Sequence, residues 1–570
     1  MFDKFRKQAE EGITKVLKKR NIEKKVAFEE PEREFGDLAT AICFELAPVL
    51  KNSPEKIGDE LAKQIKIPKD SLIKEVRAVN GYLNFYLNYE RLALPLIKKV
   101  KQLNEDYGKG NNRGKIVLEH TSANPDGPLH IGHGRNAIIG DTLSRILRFA
   151  GYKVETQFYV NDMGKQLAVV IWGLRKFKLD KRKKSDSAIA EVYIQANKML
   201  EADSDRKLAR NTIFLAEEPD SEKEISELLK GYEAGGEIRK EFEEAAKYCI
   251  KGVVETLERL NIKHDTFVWE SSFVRDSSVN KIVDELKRTK FARKGEVLSL
   301  DLSSFGVEKE LVLTRKDGTY LYTTRDIAHH VWKGKHSIIN VWGADHKLVA
   351  EQLKAVLKIL GQKEPEFIIY EFISLPEGGM STRRGVFVSL DELTEESVKR
   401  AYVEVDKRRK EESEEFKKSI AENVGVGAVR YNIIKVSPEK SMVFKWEEAL
   451  DFERQGSPFI QYAYARACRI LEKAEVGDIG RVPALGENEK SLLKIISKFP
   501  VVVEECASTR KASPLAGYAL ELANAFHRFY MFEPVLKSGK KEFRLNLVEA
   551  AKITLRNALN LLGIKPLERM

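Results

Sequence analysis

The sequence predicts an α/β protein in three parts: a parallel-sheet core with a helical insertion, a small α+β domain before it and an all-α bundle after it. Three observations carry this. From about 115 to 375, apolar β-branched runs of strand length alternate with helical periodicity, as in a parallel sheet with crossovers. The segment before that mixes helical spacing with a hairpin pattern, and from about 415 onward only helical periodicity remains. At 570 residues the chain is also too long for one hydrophobic core.

The elements follow in order. In residues 1–105, Phe5, Ala9, Ile13, Val16 and Leu17 recur on one helical face. A second helix follows Asp37, with Pro48 close to its end. Val76–Tyr89 reads as a hairpin around Asn80-Gly81, and 104–114 is a polar, glycine-bearing linker. The core spans 106–414. Ile116–Glu119 is a buried strand ending at His120. Asn124-Pro125-Asp126-Gly127-Pro128 is turn chemistry, and Pro128 suits a first helical turn. Ile139, Leu143, Ile146, Leu147 and Ala150 repeat at helical spacing until Gly151 stops the helix. Val154–Val160 is a second strand. Charged helices then interrupt the core over about 165–262. Ser337–Trp342 is another buried strand, ending at Gly343-Ala344-Asp345-His346, and a helix with Leu353, Val356, Leu357 and Leu360 follows. Glu366–Leu375 is a further strand. Residues 415–570 are helical, with Tyr462, Tyr464, Phe526, Phe529, Tyr530 and Phe532 interleaved with Arg466, Arg469 and Arg528.

Composition narrows the setting. A net charge of +11 suits a polyanionic partner. Charged residues are 32% of the chain, a Lys- and Glu-rich tilt that suits a thermophile. Cys43, Cys249, Cys468 and Cys506 form no Cys-x-x-Cys pair, so neither a zinc ribbon nor a disulfide framework is indicated. No apolar run is long enough to span a membrane, and the N-terminus has no apolar signal core. A soluble protein of the reducing cytoplasm is expected.

The stretch that carries chemistry is Ala123–His133, ending in His130-Ile131-Gly132-His133 where strand pattern gives way to helix. A helix start offers unpaired N–H groups and the positive end of the macrodipole, so it attracts phosphate. Two imidazoles three residues apart face the same way. They are expected to flank a bound phosphate chain, with Gly132 letting a flat base approach the backbone. Strand, Gly/Pro loop and helix compose the first βα turn of a nucleotide-binding domain. The plainer alternative is a hydrogen-bonded His pair at an ordinary helix start. A second stretch, 378–385, is a glycine-flanked basic loop that can close over a triphosphate, or else an exposed turn. Activating a carboxylate with ATP develops charge on phosphate oxygens, and each well-aimed donor there is worth about 3 kcal/mol.

These stretches resemble the two signatures of class I aminoacyl-tRNA synthetases. The second, usually Lys-Met-Ser-Lys, appears as Gly379-Met380-Ser381-Thr382-Arg383-Arg384-Gly385. The chain is similar to the arginyl-tRNA synthetases nearly end to end, from Phe35-Gly36-Asp37 to Glu568-Arg569-Met570. The resemblance implies a Rossmann-like catalytic domain and attachment of L-arginine to tRNA(Arg) through an arginyl-adenylate. It implies ATP with Mg2+ as substrate, no protein-bound metal, activation that depends on bound tRNA, and a monomer.

The resemblance also distributes roles. Catalysis falls to His130, His133, Met380, Ser381, Thr382, Arg383 and Arg384, and ATP to Pro128, His130, Gly132, His133 and Asp345. Gly379 and Thr382 stand where lysines are usual, so the cation that meets pyrophosphate is Arg383 or Arg384. Arginine falls to Glu119, Asn124, Tyr322, Asp326 and His346. Tyr322 precedes Asp326 by four residues, which a helix would place on one face. tRNA falls to Asn80, Tyr82 and Asn84 at the elbow and to Tyr462, Tyr530 and Met570 near the anticodon. A guanidinium pocket rejects neutral analogues strongly, so the insertion is read as a structural or tRNA-end element and not an editing site. Its basic run 175–184 either meets RNA phosphates or is a solvated face. The alternatives are another class I synthetase or a catalytically idle tRNA-binding relative.

Overall fold

The buried stripe of α1 (Phe2–Lys19) is Phe5, Ala9, Ile13, Val16 and Leu17 with Phe2, as their spacing requires. The structure, a computed structural model, describes residues 1–210, 221–234, 237–316, 318–375 and 388–570. After β1 (Leu38–Thr40) come α2 (Ile42–Leu50), with Pro48 in its last turn, and α3 (Pro54–Gln64), which Ser53 caps. β2 (Ile73–Val79) and β3 (Tyr82–Leu87) form the expected hairpin, and α4 (Tyr89–Leu103) leads away. Asn80 and Gly81 both have positive φ, 52° and 80°, as a two-residue hairpin turn demands. β1 pairs with β3, giving the order β1-β3-β2.

The core follows with β4 (Lys115–Glu119), α5 (Ile131–Phe149) and β5 (Lys153–Val160). The insertion is helical, as expected: α6 (Lys165–Lys176), α7 (Ser185–Arg210), α8 (Ser221–Ala234) and α9 (Glu237–Arg259). It has an apolar cluster of its own around Trp172 and Phe242. The chain returns through β6 (Thr266–Trp269), α10 (Glu270–Arg275) and α11 (Ser278–Leu286). A small antiparallel sheet, β7 (Ala292–Lys294), β8 (Leu298–Leu300) and β9 (Leu311–Val312), precedes α12 (Tyr322–Lys333). Then come β10 (Ser337–Gly343), α13 (Lys347–Ile359), β11 (Glu366–Tyr370) and β12 (Ile373–Ser374).

The main sheet is wholly parallel, in the order β11-β10-β4-β5-β6. Strand order therefore reverses between β4 and β10, the place where a doubly wound sheet opens a crevice at its carboxyl ends. The strand expected over 366–375 is in fact two. It breaks at Glu371-Phe372 because the Arg135 guanidinium takes both carbonyls, at 2.6 and 3.1 Å.

The rest is α14 (Leu390–Arg408), α15 (Glu414–Ile434), α16 (Trp446–Ala449), α17 (Ser457–Leu471), α18 (Glu487–Thr509), α19 (Ser513–Phe532) and α20 (Lys541–Leu561). One short strand, β13 (Met442–Val443), interrupts this otherwise helical stretch and pairs with β12. A single apolar core runs from the N-terminal part through the α5 face of the sheet into the bundle. α1 and α4 pack on α18, where Lys494 reaches Asp37 at 3.3 Å. The four cysteines are free and buried. Among the described residues no helix is long and apolar enough to cross a membrane.

Candidate active site

A cleft of about 550 Å³ opens at the switch point, over the carboxyl ends of β4, β5 and β10. His130, Gly132 and His133 form one wall. Glu119, Tyr322 and Asp326 lie at another, and Asp345 and His346 complete it beyond β10. Asn136 of α5 spans the switch point. Its side chain accepts from Thr121 N at 2.7 Å after β4 and donates to Val341 O at 2.8 Å on β10.

The histidines cap the helix that carries them. His130 is the N-cap of α5; its Nδ1 accepts from His133 N at 3.2 Å, and His133 Nδ1 accepts from His130 N at 3.4 Å. The rings stack at 3.6 Å, 19° from parallel. This corrects two expectations. The rings form one stack and do not stand apart to flank a chain, because each is turned onto the other's backbone. The space beside Gly132 belongs to the His130 ring, since a Cβ there would meet it at 2.8 Å. Burial lowers both pKa values, that of His133 to about 3, so both rings are neutral. With Nδ1 accepting, the proton sits on Nε2, and each ring presents an N–H donor. Pro128 is half-buried in the preceding loop and does not line the cleft.

The expected loop over 378–385, with Met380, Ser381, Thr382, Arg383 and Arg384, lies outside the described residues. Its two anchors are described. β12 is held by β13 on one side; on the other, Ser389 bridges to His130 and Leu390 N donates to Leu129 O at 2.7 Å. The chain that follows the loop is thus tied to the start of α5, and the chain that precedes it to β13.

Tyr322 and Asp326 share one face of α12, as their spacing predicts, and both line the cleft. Tyr322 is half-exposed. Asp326 meets His330 at 3.2 Å and His329 at 3.9 Å. Burial opposes its ionisation, but the two imidazoles outweigh burial and hold its carboxyl below the usual range. Glu119 is buried at the end of β4, in contact with the Lys333 ammonium, and Ser122 Oγ donates to it at 3.1 Å. Asn124 does not reach the cleft; its amide donates to Gln166 on α6 at 2.6 Å. His346 lies half-exposed at the rim, 3.5 Å from Asp345. Asp326, His329 and His330 bring three ligand atoms within 4.8 Å of one another. The Lys333 ammonium, 3.4 Å from His330 Nε2, opposes a divalent cation there.

Residues 96–446 match the family "tRNA synthetases class I (R), catalytic domain". Residues 4–87 match "Arginyl tRNA synthetase N terminal domain", and 460–570 match "DALR anticodon binding domain". The arginine–tRNA ligase of Methanocaldococcus jannaschii is 51% identical over 95% of both chains. The chain belongs to the arginyl-tRNA synthetases. The Methanothermobacter thermautotrophicus ligase is 46% identical over the whole of both chains. The solved Thermus thermophilus arginyl-tRNA synthetase superposes with a TM-score of 0.82 at 29% identity, covering 99% of this chain and all of that one.

The positions expected to meet tRNA in this synthetase fall in two places. Tyr82 is partly exposed beside the hairpin turn, edge-on to Phe44 at 5.2 Å. Asn84, two residues on and on the same face as Tyr82, is buried in the middle strand of its sheet between Ala39 of β1 and Arg77 of β2; its amide is turned toward Tyr82 O at 3.4 Å and not offered at the surface. Tyr462, Tyr530 and Met570, far apart in sequence, come together in a cleft of about 700 Å³ between α17, α19 and the chain end. The Arg466 guanidinium lies between the two tyrosine rings, at 4.6 and 4.5 Å. Most of the 175–184 run is paired internally: Arg175 with Glu241, Lys176 with Glu224, Arg182 with Asp180, Lys183 with Glu191 and Lys184 with Asp391.

Several site residues escape a reading of the sequence. Glu270 is buried against the cleft, 3.0 Å from Arg325, and burial raises its carboxyl to about 8 despite that guanidinium. Lys333 touches Glu119 from the far end of α12. The only hint of it was a lysine three residues after His330 and seven after Asp326, on the same helical face.

Proposed function

We infer that the switch-point cleft is where this synthetase joins arginine to ATP before charging tRNA. The attachment of arginine to tRNA at the expense of ATP is the activity of its family. What supports locating it here is one observation: a helix start bearing two neutral imidazole donors faces the Tyr322–Asp326 pair across a single cleft at the sheet's switch point. In this reading ATP enters with Mg2+ as part of the substrate, and its phosphates lie on the start of α5. His130 and His133 donate to oxygens that gain charge as the arginine carboxylate attacks and pyrophosphate leaves. They need no base role, because the attacking carboxylate is already ionised. Met380, Ser381, Thr382, Arg383 and Arg384 close over the triphosphate, with Arg383 or Arg384 meeting pyrophosphate. Tyr322, Asp326 and Glu119 hold the guanidinium, with His346 at the rim.

The hairpin of Asn80 and Tyr82 takes the tRNA elbow, and the cleft of Tyr462, Tyr530 and Met570 takes the anticodon. We divide the chain at 105/106 and 414/415, where α4 has just ended and α15 begins. A monomer in the cytoplasm completes the reading.

ATP–pyrophosphate exchange with arginine and tRNA tests it. Replacing His130 or His133 by Ala is expected to cut exchange by about 10²–10³, the worth of one such donor, with tRNA affinity unchanged. Loss of tRNA binding with exchange intact would mean the helix start has another task.

A further inference from the structure

Lys333 ends α12 with its side chain fully buried. Its ammonium contacts Glu119, donates to Asn340 Oδ1 on β10 at 3.1 Å and stands 3.4 Å from His330 Nε2. Asn340 also donates to His330 Nε2 at 2.9 Å, which leaves the other ring nitrogen of His330 protonated toward Asp326. We propose that Lys333 is a positioning residue for arginine: it fixes Glu119 and cancels its charge, so that one net negative charge, on Asp326, meets one guanidinium. This rests on the reading that Glu119 and Asp326 hold arginine.

The charge count around Glu119 carries the argument. α12 presents Lys333, His329 at 3.7 Å, His330 and Asp326; β10 presents the neutral Asn340; the loop after β4 presents the Ser122 hydroxyl. Burial, with Lys333 beside it, keeps His329 neutral. Two carboxylates and one ammonium remain. An isolated buried carboxylate is costly, and here Lys333, the strongest of the groups that oppose burial, together with His329 and His330 keeps Glu119 ionised. Without Lys333 both burial and Asp326 favour a proton on Glu119. The carboxyl would then lose an acceptor oxygen, and arginine recognition would become pH-dependent.

The test is the KM for arginine and for ATP in tRNA charging, from pH 6 to 9, with the full-length enzyme. Lys333→Met is expected to raise the arginine KM about tenfold, the equivalent of one charged hydrogen bond, with the ATP KM little changed. Its kcat/KM for arginine gains an acid limb that rises with pH. Lys333→Arg stays near wild type, and Glu119→Gln/Lys333→Met shows no such limb. Glu119→Gln alone leaves a bare ammonium facing the substrate cation, so it is expected to be worse than the double variant. That comparison holds even if Lys333→Met alone fails to fold. A flat profile for Lys333→Met, equal losses toward arginine and ATP, or a double variant no better than Glu119→Gln overturns the proposal. Asp326→Asn, run alongside, tests the underlying reading separately: an unchanged arginine KM there defeats the arginine site whatever Lys333 does.

Discussion

His130 and His133 each accept the other's backbone N–H at Nδ1, which puts the ring proton on Nε2. A second pair is buried for packing. His120 and His264 lie 4.2 Å apart ring to ring, with Nδ1 and Nε2 at 3.2 Å, and Gly140 of α5 gives the His120 ring its space. Burial lowers both, His264 to about 4. The unfolded chain protonates His264 near 6.5, so between 6.5 and about 4 it binds the proton and the folded chain does not. The stability carried by the neutral ring is therefore complete above pH 6.5 and is lost as pH falls. One proton is worth about 1.4 kcal/mol per pH unit, so the loss over that window is of order 3 kcal/mol. His264→Phe, among Phe158 and Phe267 at 5.3 and 5.9 Å, is expected to flatten that slope. Melting temperatures at pH 7 and pH 5 measure it, and an acid slope equal to wild type counts against this account.

Among elements, Arg135 joins three stretches of backbone. Its guanidinium, fully buried, donates to the carbonyls of Glu371 and Phe372 and to those of Ser437, Pro438 and Lys440. It thereby joins α5 to the break between β11 and β12 and to the turn before β13. Arg135→Met strips five carbonyls of a charged donor and is expected to cost about 3–5 kcal/mol, seen as a melting temperature lower by roughly 2–4 °C. A melt within a degree of wild type would show that water replaces the guanidinium. This break also marks where the sequence ceases to be legible. Helices with strong apolar stripes, such as α1 and α13, are plain from period, and the buried strands β4, β5 and β10 from β-branched apolar runs of strand length. Strands of two to four residues, β1, β6, β9 and β13, are too short for period 2 to register. The site divides in the same way. His130-Ile131-Gly132-His133 and Tyr322/Asp326 are local patterns. The Glu119–Lys333 contact joins residues 214 apart in sequence, and Asn124 is drawn off by Gln166 of the insertion; nothing local announces either.

Across the whole molecule, one buried arginine links the catalytic sheet to the helices that bear the distal cleft. Arg430 of α15 pairs with Asp141 of α5 at 2.6 Å and donates to the carbonyls of Leu260 and Leu562. Gly563 accommodates it, since a Cβ there would collide with the guanidinium. α15 in turn packs on α17, where Gln461 donates to Asn423 O and Lys565 O, and the next residue is Tyr462. The distal cleft is thus built on the frame that holds α5. It should act on tRNA alone while the frame stays intact. Tyr530→Ala removes one of the two rings that flank Arg466 and leaves the Arg430 and Gln461 hydrogen bonds in place. Loss of one base-stacking ring costs about 1–3 kcal/mol, so the tRNA KM is expected to rise roughly 5- to 150-fold. At saturating tRNA the arginine and ATP KM values stay as in wild type. Charging rates across tRNA concentrations measure this. An unchanged tRNA KM would remove the anticodon from this cleft, and a matching rise in the arginine KM would mean that the two clefts move together and that α15 transmits the change.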